Sequence, residues 1–256
     1  MFEARQLSLS LSGFDLLQGI NLQVEPGEVT AILGPNGAGK TSLLRLLTGE
    51  TPPSTGEVIF NGITLDQWQP KRRAKILSVL PQGSPLNFPF TAREVVMMGR
   101  IPHATGLVKD TEIVDAALSV VGGSYLEKRF YTQMSGGEKQ RVQLARALAQ
   151  IWEPDGSGDR FLVLDEPTSA FDLAHQQLTL EIVKSFARQG VGVLMVLHDL
   201  NLAAGCADQL VMLHCGKIAA QGSPEFVLTT TMIKEVFSVD ASIGVHPKTG
   251  SPLVIV

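Results

Sequence analysis

At 256 residues, the chain has room for one large domain or for two small lobes around a shared core. Its 44% hydrophobic and 18% charged content suits a folded globular protein and excludes a disordered one, and a formal net charge of −4 disfavours nucleic acid as a partner. The start, MFEARQLSLS, lacks the basic and apolar regions of a signal peptide, and the longest strongly apolar stretch, Val191 to Leu197, falls far short of the roughly 18 residues of a membrane span. Cys206 and Cys215 have no metal-ligand spacing and are expected to be reduced thiols of a cytosolic protein, so that any membrane contact is indirect.

Leu7, Leu9 and Leu11 alternate with Ser8, Ser10 and Ser12, which predicts a half-buried strand. A second alternation runs from Leu16 to Val24 through Ile20 and Leu22, up to the Pro26-Gly27 turn. Val29 to Leu33 is short, apolar and β-favouring, as a buried strand would be. A glycine-rich turn and a helix bearing Leu43, Leu44, Leu46 and Leu47 come next. Gly56 to Phe60, before the Asn61-Gly62 turn, predicts more antiparallel strand. From about Pro85 to Gln150 helical patterns take over, as over 111–121 and 138–150. After a Gly/Asp-rich loop at 155–159, strands are expected at Phe161–Leu164 and Val193–Leu197, each leading into helix-starting sequence.

Strand–helix alternation implies an α/β fold with a mostly parallel sheet. The expected organisation is a single domain over 1–256. A core with an antiparallel β-subdomain spans 1–84 and 159–256, and a helical subdomain is inserted at 85–158.

Gly34, Pro35, Asn36, Gly37, Ala38, Gly39, Lys40 and Thr41 fit G-x-x-x-x-G-K-[ST] between a strand and a helix, which is the setting that a phosphate-binding loop requires. Glycines let backbone N–H groups curl around phosphates, and the helix start adds a favourable partial charge. Lys40 would reach the β- and γ-phosphates, Thr41 would ligate Mg2+, and Ser42 ends the cradle. Phe161 to Glu166 is an apolar strand ending in two carboxylates. Asp165 is suited to hold Mg2+, and Glu166 to orient or deprotonate an attacking water. Alone, such a pair could be an acidic helix cap. Beside the loop it predicts an NTP hydrolase.

Met134-Ser135-Gly136-Gly137-Glu138-Lys139-Gln140-Arg141 opens a helix with Val142, Ala145, Leu148 and Ala149 on one side. Ser135, Gly136 and Gly137 at that helix start are a second anion cradle. One NTP needs only one loop, so a second cradle suggests a site shared between two copies. Here the chain resembles the ABC ATPases, whose signature LSGGQ occupies this place; Met134 and Glu138 are mild departures. The resemblance implies a P-loop NTPase (RecA-like) core with an antiparallel β-subdomain and an inserted helical subdomain. It also implies a head-to-tail homodimer holding two ATPs, each signature facing the other subunit's P-loop. By the same resemblance Gln82 is the glutamine that contacts Mg2+ and the attacking water, Asp172 belongs to the loop after the carboxylates, and His198 holds the γ-phosphate and Glu166 in register. The first-strand aromatic that stacks adenine in many members aligns with Leu11, with Phe14 the nearest ring.

Residues 85–103, from Pro85 to His103, resemble the corresponding segment in importers of iron chelates, cobalamin and haem. The link from Leu148 to Asp159 is similar to that of bacterial haem-import ATPases. These resemblances imply an ATPase that energises haem uptake, at the cytoplasmic face of the bacterial inner membrane. Its partners would be two transmembrane permease subunits and, through them, a periplasmic haem-binding protein. The alternatives are the same role for ferric siderophore or cobalamin and, in another class, a non-transport ABC ATPase. His103, His175, His214 and His246 form no metal-spaced cluster and are expected to be surface or structural, as is the Lys71-Arg72-Arg73 run.

Overall fold

The chain opens with β1 (Phe2–Leu11) and β2 (Phe14–Val24), departs through β3 (Val29–Leu33) and helix α1 (Lys40–Leu47), and returns as β4 (Thr55–Phe60) and β5 (Ile63–Thr64). The structure, a computed structural model, describes residues 1–83, 86–169 and 171–256. Strands β2-β1-β4-β5 form an antiparallel sheet in that order. The alternation expected of β1 changes phase once: Phe2 and Ala4 face the core, then Leu7 and Leu9. The slip is a bulge at Gln6, whose φ of +48° breaks the register between Ala4 and Leu7. Leu11 was expected on the buried face and is instead 52% exposed, because the strand runs out into the tight Ser12-Gly13 turn.

Next come α2 (Pro70–Arg73) and β6 (Leu77–Leu80), then α3 (Ala92–Met97), α4 (Leu107–Val120) and α5 (Gly136–Gln150). The chain resumes its alternation with β7 (Phe161–Asp165), α6 (Leu173–Arg188), β8 (Gly192–Val196), α7 (Leu200–Cys206) and β9 (Gln209–His214). It ends with β10 (Lys217–Gly222), α8 (Pro224–Val227), α9 (Thr230–Phe237) and the hairpin β11 (Ser242–Val245) and β12 (Pro252–Ile255). Strands β3, β7 and β8 are apolar and buried at almost every position, as strands covered on both faces must be. They sit in a six-stranded sheet of order β10-β9-β3-β8-β7-β6, parallel but for β10.

That sheet separates two cores. On one face Leu33, Leu164 and Met195 pack with α3 to α6; on the other Ile32, Val163 and Val196 pack with α1 and the antiparallel sheet. The second core is pinned by Phe2, Phe60 and Phe161, which meet edge to face at 5.3–5.5 Å. Each fully buried ring contributes about 1.5–3 kcal/mol. This is the α/β P-loop arrangement with an antiparallel sheet on one side and helices on the other. The boundary expected at 84–85 lies outside the described residues. Among the described residues no helix is long and apolar enough to cross a membrane.

The Arg100-to-His103 run is a packing device. Gly99 sits so close to α5 that a Cβ there would lie 2.3 Å from the Arg146 carbonyl oxygen. Arg100, 4% exposed, donates from Nη1 to Ala149 O at 2.7 Å and from Nε to Asp110 Oδ1 at 2.8 Å. Burial holds His103 below the usual histidine pKa, with its bond to Gln150 O at 2.7 Å opposing. These donors cap the last carbonyls of α5. The link after α5 is tied as well, with Arg160 Nη1 donating to Ile151 O and Trp152 O at 2.8 and 3.0 Å.

Candidate active site

Four strands that end side by side deliver the expected residues. In the order β3-β8-β7-β6, all parallel, the loop of Gly34 to Thr41 leaves β3, His198 follows β8, Asp165 and Glu166 end β7, and Gln82 follows β6. The parallel topology places all four strand exits at one sheet edge.

The loop on β3 needs its glycines. A Cβ on Gly34, at φ +152°, would stand 2.1 Å from Leu213 O; one on Gly39, at φ +105°, would stand 2.8 Å from Leu17 Cδ2. The loop therefore lies tight against β9 and β2, with Ala38 N donating within it to Pro35 O at 3.2 Å. Lys40 is buried and folds back, donating from Nζ to Gly34 O at 2.8 Å and to Pro35 O at 2.9 Å. Burial pushes its pKa below the usual lysine value, with the Glu166 and Asp165 carboxylates opposing. Gly34→Ala is expected to force the loop off β9, costing about 2 kcal/mol or roughly 4–8 °C in Tm, together with at least a tenfold loss of ATP affinity. Thermal melts and nucleotide titration check both.

Asp165 ends β7 only 6% exposed, and its Oδ1 is buried with no hydrogen-bond partner among the described residues. Burial and then the adjacent Glu166 push its pKa above the usual aspartate value, while the Thr41 hydroxyl, Arg45 and Lys40 pull it down. Glu166 is clamped from two sides: Gln82 Nε2 donates to Oε2 at 2.8 Å, and His198 Nε2 is hydrogen-bonded to Oε1. Gln82, Glu166 and His198 thus form one chain of contacts above the strand ends.

The signature segment stands apart. Ser135 caps α5 in a capping box, in which Ser135 Oγ accepts from Glu138 N at 3.3 Å and Ser135 N donates to Glu138 Oε2 at 2.8 Å. Arg129 adds an ion pair to Glu138 at 2.6 Å, so glutamate at this position has a local role. Met134 is buried, and a Cβ on Gly136 would meet open space. Asp172 likewise serves locally as the N-cap of α6, accepting from His175 N at 2.9 Å. Among the described residues, no hydrogen bond or ion pair joins Ser135, Gly136, Gly137 or Asp172 to the β3 loop.

Two supports escaped sequence reasoning. Gly216 donates from N to Ala38 O at 3.1 Å and accepts from Gln18 N at 2.9 Å, so the β9–β10 turn braces the loop from behind. The Cys215-Gly216 turn, with both residues at positive φ, was the available signal. The second support, Gln140, bonds the backbone of Glu166. Leu11 is 52% exposed and Phe14 is 75% exposed at the β1–β2 hairpin, two residues before the Leu16 carbonyl that lies against Gly39.

The ABC transporter family model matches residues 17–169. A Gloeobacter violaceus protein named hemin import ATP-binding protein HmuV is 48% identical across 100% of this chain and 94% of its own. A Pseudomonas aeruginosa protein of the same name is 45% identical across 100% and 99%. Among solved structures, an ABC transporter described as of metal-chelate type, in an inward-facing conformation, matches with a TM-score of 0.80 and 26% identity over 99% of this chain and 96% of that one. A dimeric bacterial ABC transporter cassette matches with a TM-score of 0.78 at 24% identity over 88% and 99%, a likeness of fold alone.

Proposed function

The chain belongs to the ABC transporter ATP-binding family, and on that premise we propose that it is the ATP-hydrolysing subunit of a bacterial importer, energising uptake of haem through a membrane permease. The hydrolytic part rests on one observation above all, the Glu166 carboxylate held between Gln82 and His198 beside the β3 loop. Backbone N–H groups between Asn36 and Ser42 and the Lys40 ammonium bind the ATP phosphates, and Lys40 releases the Gly34 and Pro35 carbonyls to do so. Water attacks the γ-phosphorus as the bond to the β–γ bridging oxygen breaks, and Glu166 takes the water's proton. His198 and Gln82 keep that carboxylate aimed.

The donor set fits Mg2+: a buried, unpartnered Asp165 oxygen and the Thr41 hydroxyl are hard oxygen ligands, with Gln82 nearby. When bound, the ion would neutralise charge that develops on the phosphates.

The locally capped Ser135-Gly136-Gly137 and Asp172 face a second copy in this reading, so that two cassettes close on two ATPs. Phe14 offers the exposed ring for adenine. The core is taken as 1–84 and 159–256 and the helical subdomain as 85–158. Exposed apolar residues Phe88, Ile101, Leu107 and Val108 on that subdomain suit docking of the two permease subunits. The permease would link the cassette to a periplasmic haem-binding protein and hold it peripherally at the cytoplasmic face of the inner membrane.

Haem is favoured as cargo by the names of relatives 45–48% identical over the whole chain. A strain lacking the gene is expected to lose growth on haemin as sole iron source while still using siderophores. Normal growth on haemin with siderophore or cobalamin uptake lost would move the cargo and leave the ATPase untouched.

A further inference from the structure

Glu166 leaves β7 with φ +52°, in the left-handed region that a non-glycine residue keeps only when its surroundings hold it there. What holds it is legible at its carbonyl oxygen, which among the described residues accepts three hydrogen bonds: from Gln140 Nε2 at 3.1 Å, Ser169 Oγ at 3.1 Å and Ser169 N at 3.3 Å. The two Ser169 bonds close the turn that Glu166 itself begins. Gln140 is different, because it reaches over from α5, five residues beyond Ser135. Its Nε2 is committed to Glu166 while its Oε1 is buried with no hydrogen-bond partner among the described residues. Gln140 also lines a cavity of about 430 Å³ together with Gln82, Gly136, Lys139 and Ser169, so it stands where the strand ends meet the signature helix.

We propose that Gln140 is a positioning residue for hydrolysis: by holding the Glu166 carbonyl it fixes the left-handed turn that aims the Glu166 carboxylate between Gln82 and His198. The proposal rests on the reading of Glu166 as the base. Freed of the Gln140 bond, the peptide after Glu166 can rotate, and the side chain leaves the line of the attacking water. The same bond makes the aim of Glu166 depend on where α5 lies. The start of α5 is the anion cradle, so the base and the signature are fixed to each other through one side chain.

Gln140→Met tests this, since methionine keeps the length and apolar stem and removes the N–H donor. A neutral hydrogen bond of this kind corresponds to about a three- to tenfold fall in kcat, with KM for ATP and affinity for a non-hydrolysable ATP analogue unchanged. In a Glu166→Gln background the same substitution is expected to change the residual rate by less than about twofold, because Gln140 then has no base to aim. Gln140→Glu, which keeps the shape and puts an acceptor against the carbonyl, carries the same comparison if the methionine variant does not fold. Parent-like kcat in Gln140→Met, or an equal loss in both backgrounds, would overturn the proposal and leave Gln140 a packing residue. Unimpaired turnover by Glu166→Gln alone would instead remove the base on which it stands.

Discussion

Glu166→Gln is expected to bind ATP as the parent does and to turn over roughly 10²–10⁴-fold more slowly. The substitution is nearly isosteric, and the clamp tolerates it. The new amide oxygen can still accept from Gln82 Nε2, and the amide nitrogen can donate to His198 once the imidazole offers its other tautomer. What is lost is the capacity to receive a proton. If binding rests on the β3 loop and Lys40, as proposed, nucleotide affinity should survive, and the ATP-bound dimer should accumulate. Single-turnover hydrolysis, nucleotide titration and gel filtration with ATP check the three parts. Hydrolysis at the parent rate would take the role of base away from Glu166.

Mixing two inactive variants is expected to restore activity. Lys40→Ala removes the phosphate-binding ammonium, and Ser135→Arg blocks the signature cradle at the cost of its cap, about 1 kcal/mol. If each active site takes its loop from one copy and its signature from the other, both pure dimers carry two defective sites. A heterodimer carries one site with both defects and one with neither. Random pairing makes half the dimers mixed with one good site of two, so about a quarter of parent activity should return. Activity no greater than the sum of the separate variants would mean that each chain contains its whole site.

The loop of Gly34 to Thr41 was legible because its residues are contiguous and its glycines carry backbone demands that a spacing expresses. Gln82, Glu166 and His198 are 84 and 32 residues apart, yet each follows an apolar strand, and parallel topology brings such strand ends together. Their meeting follows from order alone. Side-chain reach from a helix to a strand end leaves no such trace: a glutamine one turn into α5 looks like any polar helix residue until the strand end is packed beneath it. Arg100 and His103 were legible only in kind. His103 was expected to be surface or structural, and it and Arg100 are committed to α5, but charge and polarity do not say which carbonyls a side chain will find. Leu11 failed for a simpler reason, since a period of two carries no mark of the residue at which a hairpin turns away from its core.

Those two side chains also determine how force travels. Arg100 and His103 grip the last carbonyls of α5, and Ser135 sits at its first turn, so the helix spans 15 residues, or about 22 Å, between them. With Gly99 in backbone contact there is no slack at the near end. A load on Ile101 would therefore pass through Gly99, Arg100 and His103 to the tail of α5, the same helix that carries Ser135 at its other end.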